Sequence, residues 1–150
     1  MQSEVDIKHI ESDADLEASF PVMRELRPHL RDCTTYAAQI AQQRTQGYRL
    51  LAAWRGGAIV GLAGYRLLDN LLYGHFIYVD DLVVTASLHR TGVGERLLQA
   101  AKQQAVSLHC NHFVLDTGLH MALAQRFYFR QGLLAKGMHF VEPLTQDTTA

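Results

Sequence analysis

The 150 residues are 48% hydrophobic and 19% charged, enough for one globular domain with a sizeable core. Fourteen Lys and Arg against fifteen Asp and Glu give a formal charge of -1; no basic block is there to neutralise a row of phosphates, and nucleic acid is excluded as an expected partner. The polar, acidic start from Met1 to Asp6 and the lack of an apolar stretch of membrane-spanning length point to a cytoplasmic protein with no membrane partner, and the two cysteines, Cys33 and Cys110, fit free thiols better than a disulfide framework.

In chain order, Val5 to Ile10 reads as a first strand, after which Ser12, Asp13 and Asp15 offer N-cap chemistry for a helix carrying Leu16, Phe20, Met23, Leu26 and Leu30 on one face. Pro21 and Pro28 are expected to bend or divide it. A short helix follows from Thr35 to Arg44. Tyr48 to Trp54 and Ala58 to Tyr65 are apolar runs separated by Arg55-Gly56-Gly57, the pattern of a hairpin. Asp69-Asn70 marks a further turn, and Gly74 to Val84 returns as a long strand rich in aromatic and β-branched residues, closing an antiparallel meander.

From Gly92 to Leu108 the apolar period becomes helical, with Val93, Leu97, Leu98, Ala101, Ala105 and Leu108 on one side. Phe113 to Leu115 is a short strand, Met121 to Arg130 another helix, and Leu133 to Val141 a final strand or strand pair. The polar tail from Thr145 to Ala150 is expected to be disordered, leaving residues 1–144 as a single domain. The fold class is mixed α/β (α+β) on one sheet.

The most informative window runs from Asp80-Asp81-Leu82-Val83-Val84 through a polar loop to Arg90-Thr91-Gly92-Val93-Gly94-Glu95 and an amphipathic helix. A helix start carries unpaired N–H groups and partial positive charge, and glycines let an anion approach that backbone. A P-loop requires Gly-x-x-x-x-Gly-Lys-Ser/Thr, which is absent, and a dinucleotide fingerprint requires a third glycine where Leu97 stands. The two glycines alone favour a helix that merely begins at Gly92.

The wider pattern resembles the acetyl-CoA-binding segment of the GCN5-related N-acetyltransferase (GNAT) superfamily. Downstream, Ala124, Phe127, Tyr128 and Gly132 stand at the spacing of that family's Ala-x-x-Phe-Tyr-x-x-x-Gly helix, and Gly137-Met138-His139-Phe140 looks like its closing strand. The similarity covers Tyr78 to Phe140. It implies a mainly antiparallel twisted sheet flanked by about four helices, and acetyl-CoA as co-substrate. It also implies that the backbone of Leu82, Val83 and Val84 pairs with the pantetheine arm. The amides around Arg90, Thr91, Gly92, Val93, Gly94 and Glu95 would then cradle the pyrophosphate. Two positions depart from the pattern: His89 stands where the family has Arg or Gln, and Met121 where it often has Arg or Asn. His89 can still donate a hydrogen bond, and Arg90 can supply charge.

The implied reaction is direct transfer to a primary amine in a ternary complex. An alkylamine of pKa ~10.4 is neutral in roughly one molecule per thousand at neutral pH, a deficit of about 4 kcal/mol that a positioned base offsets. Asp80 and Asp81 are the candidates for that base. Alternation along a strand allows at most one of them to face the cleft, and the bland alternative has one carboxylate solvated and the other on backbone. Tyr128 matches the family's general acid for the leaving thiolate; by itself a tyrosine on an apolar helix more often belongs to the core.

The run His109-Cys110-Asn111-His112 lacks the partner pair of a zinc site and reads as a surface loop, so no metal is expected. Asp116 reads as a helix cap. Glu25, Arg27, Tyr36, Tyr65, Tyr73, His75 and Tyr78 lie where the acceptor cleft would be walled, each read as packing or solvated surface. The acceptor is a small-molecule or peptide amine, and a homodimer stays open. A non-catalytic acyl-CoA sensor on the same fold, or another acyl donor such as succinyl-CoA, are the competing readings.

Overall fold

The computed structural model describes residues 4–145, and they fall into two compact units divided after Asp116. The first unit is a five-stranded sheet in the order β1-β2-β3-β4-β5, with β1 Asp6–His9, β2 Tyr48–Arg55, β3 Ala58–Asn70, β4 Gly74–Val84 and β5 His112–Leu115. The first four strands pair antiparallel and β5 joins β4 in parallel, as the expected meander followed by a helical crossover requires.

Helices α1 Asp13–Leu26 and α2 Cys33–Arg44 lie between β1 and β2 in sequence, and α3 Val93–Ser107 lies between β4 and β5. Ser12 caps α1 by accepting from Asp15 N, and Pro21 sits inside the helix without ending it. Asp32 caps α2 through Thr35 N at 2.7 Å, which starts that helix at Cys33, two residues before the expected Thr35. The β2–β3 turn uses Gly56 and Gly57 at φ +58° and +81°, the left-handed pair that a two-residue hairpin loop demands.

β2 is covered on both sides. Tyr48, Leu50 and Ala52 pack with Leu16, Val22, Met23, Tyr36 and Ile40 of α1 and α2, whereas Leu51 and Ala53 share the opposite cluster with Val93, Leu97, Ala101 and Ala105 of α3. Leu97 and Leu98 are fully buried, and each such leucine stabilises the fold by roughly 2 kcal/mol. The α1/α2 cluster contains one polar residue with no exposure, Ser19, whose hydroxyl donates to Leu16 O at 2.6 Å and lies 2.8 Å from the Tyr36 hydroxyl. Burial pushes the Tyr36 pKa up to about 12. Tyr36 is thus core packing, as the sequence suggested.

Gly64 is required by its neighbour. A Cβ there would stand 1.8 Å from the Tyr48 hydroxyl and 2.4 Å from Tyr48 Cζ, inside a ring with no exposure. Gly64→Ala is expected to destabilise the protein by about 2 kcal/mol, since the buried ring must shift and its hydrogen bond to Asp81 weaken. Chemical denaturation measures this, and an unchanged midpoint at unchanged slope would refute the close fit.

His9 Nε2 and the Tyr65 hydroxyl are 2.7 Å apart across the sheet. Desolvation lowers the His9 pKa, Glu11 opposes the shift and Arg49 adds to it. A folded-state value below the unfolded value of about 6.5 means that the unfolded chain binds the extra proton. The stabilisation is therefore complete above the unfolded pKa and is lost as pH falls through the folded one. The Tm difference between wild type and His9→Gln should shrink from pH 7.5 to pH 5.5; a difference independent of pH would remove His9 from the acid response.

The second unit contains α4 Ala122–Arg130, whose N-cap position is held by Met121 with no side-chain cap hydrogen bond. Gln125 Nε2 instead donates to Gly118 O and Leu119 O, both at 3.0 Å. Gly132 at φ +90° ends the helix, with Leu133 N donating to Tyr128 O. The expected final strand from Leu133 to Val141, including Gly137-Met138-His139-Phe140, is absent: residues 133–144 form no strand. The apolar sequence supplies β propensity, but propensity reflects a partner and a pleated surface to pack on; Met138, Phe140 and Val141 are exposed here. Of the expected tail, Thr145 is described and exposed, and residues 146–150 lie outside the described residues. Among the described residues no helix is long and apolar enough to cross a membrane.

Candidate active site

The β4–β5 ladder ends at the pair Val79–Leu115, while β4 continues to Val84 along β3. From Asp80 to Val84 the other edge of β4 therefore has no strand beside it among the described residues. Thr85 N donates to Val60 O at 2.9 Å while Gly61 and Val84 stand opposite each other, which makes Gly61–Val84 a pair whose own N–H and C=O point outward. Leu82, opposite Ala63, has the same phase, and Val83, opposite Leu62, has the other. Of the three residues expected to offer backbone to an extended ligand, Leu82 and Val84 face the open edge and Val83 turns to β3.

The strand then enters a 3₁₀ turn at Ala86–Leu88, where His89 Nε2 donates to Val84 O at 2.7 Å. The ring predicted as a ligand donor is thus held against the strand end, with Nδ1 left. Thr91 Oγ1 donates to Leu88 O and closes the loop. Arg90 and Gly92 adopt φ +65° and +91°, left-handed backbone of the kind that anion-binding turns use. Gly92 is the N-cap of α3 and offers no side-chain cap, so the amides of Val93, Gly94 and Glu95 remain for an anion. The Val93 side chain is buried, so only its backbone can serve a ligand. Gly61 lets this helix start settle on β3: a Cβ there would meet Leu97 Cδ1 at 2.7 Å and Val93 Cγ1 at 3.3 Å. An extended donor arm along Leu82 and Val84, leading to phosphates at the α3 start, fits this arrangement.

Asp80 and Asp81 depart from simple alternation. The β3–β4 register shifts between Gly64 and Tyr65, which face Asp81 and Val79 and leave Asp80 as the extra residue of a bulge. Asp81 Oδ1 accepts from Arg27 Nε at 3.0 Å and its Oδ2 from the Tyr48 hydroxyl at 2.8 Å. Asp80 takes both ends of the Arg66 fork, at 2.9 and 2.8 Å. Arg66 lies opposite Tyr48 in the β2–β3 ladder, so both carboxylates address the face covered by α1 and α2. The expectation that at most one could do so is corrected by the bulge, which puts two consecutive side chains on one side.

Neither carboxylate is merely solvated. Asp81 Oδ1 has both Arg27 Nε and Nη2 at 3.0 Å, while Asp81 Oδ2 and the two Asp80 oxygens each accept one of the bonds above and have a second lone pair to offer. The Asp80 fork raises the Arg66 pKa, and burial pushes the Tyr48 hydroxyl well above the ordinary phenol range, so it donates and does not ionise.

Arg27 and Glu25, read from sequence as packing or surface, bond to β4 and to the two residues that follow it. The Glu25 carboxylate accepts from Thr85 Oγ1 at 2.7 Å and Ala86 N at 3.0 Å. Arg27 Nη2 also donates to Asp80 O at 2.9 Å. No local signal announces these partners, which are 53 to 61 residues away in sequence.

In the second unit, Tyr128 is half-buried on α4 with Phe127 edge-on at 5.4 Å, and burial raises its pKa. The thiols of Cys33 and Cys110 are free, and burial raises the pKa of each, which disfavours the thiolate a covalent route would need. At the α3–β5 connection, Asn111 Oδ1 accepts from His75 N at 3.1 Å and His112 Nδ1 donates to Tyr73 O at 2.7 Å, so the His-Cys-Asn-His run fastens the hairpin end.

The sequence matches the model of the acetyltransferase (GNAT) family over residues 11–133. It is 30% identical over 142 residues, 93% of this chain and 99% of the other, to the uncharacterized N-acetyltransferase YhdJ of Bacillus subtilis (strain 168). The fold is similar to that of the aminoglycoside N-acetyltransferase AAC(6')-Iy solved in complex with CoA, with TM-score 0.84 at 17% identity over 97% of this chain and 98% of that one. It is also similar to a transcriptional regulator from Bacillus halodurans C-125, with TM-score 0.82 at 20% identity over 94% of this chain and all of that one.

Proposed function

The chain belongs to the acetyltransferase (GNAT) family, and from that membership we propose that it transfers the acetyl group of acetyl-CoA to a primary amine by direct attack in a ternary complex. The observation that carries the proposal is the open edge of β4 at Leu82 and Val84, which runs straight into the uncapped start of α3. An extended amide-bearing arm ending in a pyrophosphate is the ligand this continuity suits. In this reading Leu82 and Val84 pair with the arm and Val83 holds the strand to β3. The amides from Arg90 to Glu95 take the phosphates, and His89 keeps the loop on the strand end. Residues 1–144 are read as one acetyltransferase domain.

The amine must lose a proton to attack. We assign that step to the Asp80–Asp81 pair, whose spare lone pairs can accept from the ammonium or from an intervening water. The side chain of Asp80 is the more exposed, 24% against 14% for Asp81. Tyr128 is assigned as the acid that protonates the departing thiolate: its raised pKa keeps the hydroxyl protonated at neutral pH. The acceptor is proposed to be a small molecule or a peptide amine.

Isothermal titration with acetyl-CoA, followed by thiol release against a panel of amines, tests the reading. Saturable binding with release for one amine class is the expected result. Binding without release for any amine would point to an acyl-CoA sensor, and no binding would end the proposal.

A further inference from the structure

The stretch of β4 with an open edge is held by one ladder only, yet its start and the two residues just after its end are tied to the C-terminal end of α1, at Arg27, the C-cap, and Glu25. At the near end, Arg27 Nε and Nη2 reach Asp81 Oδ1 and the Asp80 carbonyl at 3.0 and 2.9 Å. At the far end, Glu25 accepts from Thr85 Oγ1 and Ala86 N at 2.7 and 3.0 Å. Leu82, Val83 and Val84 lie between these anchors. We propose that Glu25 and Arg27 are positioning residues for the acyl donor: a two-point brace that fixes the open edge of β4 in the register an extended ligand needs.

The inference rests on the proposal that acetyl-CoA occupies this edge. Its physical basis is independent. A strand segment paired on one side is the part of a sheet most free to fray, and two charged groups placed two residues apart on a helix end restrain it at both limits. The far anchor has a second consequence. Ala86 N–H, held by Glu25, opens the loop that leads to Gly92, so strand and loop are set by one carboxylate. At the near anchor, the Tyr48 hydroxyl fixes Asp81 Oδ2, and Asp81 is thereby presented to Arg27 in one orientation.

Glu25 is exposed, so its hydrogen bonds add little to global stability, whereas Arg27 pairs with Asp81, whose side chain is only 14% exposed, so losing Arg27 also costs stability. Glu25 therefore separates a positioning role from a structural one: its substitution should change ligand affinity and local opening while leaving the Tm nearly unchanged.

The test uses the full chain with Glu25→Ala, Glu25→Gln and Arg27→Met, hydrogen exchange of the 82–86 amides in the free protein, and titration with acetyl-CoA. Glu25→Ala and Arg27→Met should speed exchange and each raise the acetyl-CoA Kd by about tenfold, while Glu25→Gln, which keeps the amide acceptor, stays within about twofold of wild type. For Glu25→Ala, KM for acetyl-CoA should rise with kcat little changed. Wild-type exchange or wild-type affinity in both disrupted variants overturns the brace while the functional reading stands. A wild-type protein that does not bind acetyl-CoA overturns the functional reading, and the positioning role falls with it.

Discussion

Tyr128→Phe is expected to lower kcat by about 100-fold while the KM for acetyl-CoA stays within about twofold of wild type. The substitution removes one oxygen and keeps the ring, so the packing of Phe127 against it and the α4 backbone are preserved. A departing thiolate needs a proton in the transition state, and burial keeps the Tyr128 phenol in the protonated form that can supply it. An interaction made only as the C–S bond breaks should appear in kcat and not in binding. Steady-state kinetics at saturating amine decides the point. Equal kcat in the two forms removes the acid role, and a fall in Tm with kcat unchanged returns Tyr128 to the core.

Gly92→Glu is expected to raise the acetyl-CoA Kd by more than about 100-fold, or about 2.7 kcal/mol, and Gly92→Ala by no more than about tenfold. The two substitutions share the backbone term, because any L-residue at φ +91° carries left-handed strain of roughly 1–2 kcal/mol. Neither meets a steric barrier, since a Cβ at Gly92 has nothing within 4 Å. What distinguishes them is a carboxylate placed at the positive end of α3, where it competes with the phosphates for the amides of Val93, Gly94 and Glu95. Titration of both variants gives the answer: equal effects from alanine and glutamate would mean that strain alone matters and that no anion binds there.

The element order was legible in the sequence because most of its signals are local. Gly56-Gly57 sets a hairpin turn, Ser12 and Asp32 cap α1 and α2, and the change of apolar period after Gly92 marks α3. The two family motifs, Asp80 to Leu98 and Ala124 to Gly132, were legible for the same reason, since their glycines and aromatic spacings sit within a few residues of one another. The strand expected between Leu133 and Val141 fails where locality fails: a strand exists through its partner, and apolar composition names none. Glu25 and Arg27 were passed over because surface-type residues on a helix end give no hint of a ladder more than fifty residues away.

The sequence by itself determined the family, the bare helix start at Gly92 and the candidate residues Asp80, Asp81 and Tyr128, because each rests on residue type at short spacing. Only the tertiary structure decided that Leu82 and Val84, and not Val83, turn their backbone outward, that a bulge brings Asp80 and Asp81 to one face, and that Arg27, Tyr48 and Arg66 already hold them. The physical reason is that hydrogen-bond phase and bulge position belong to the pairing of two strands. A period of two read along one strand fixes which side chains alternate, and it carries no record of where the neighbouring strand slips by a residue.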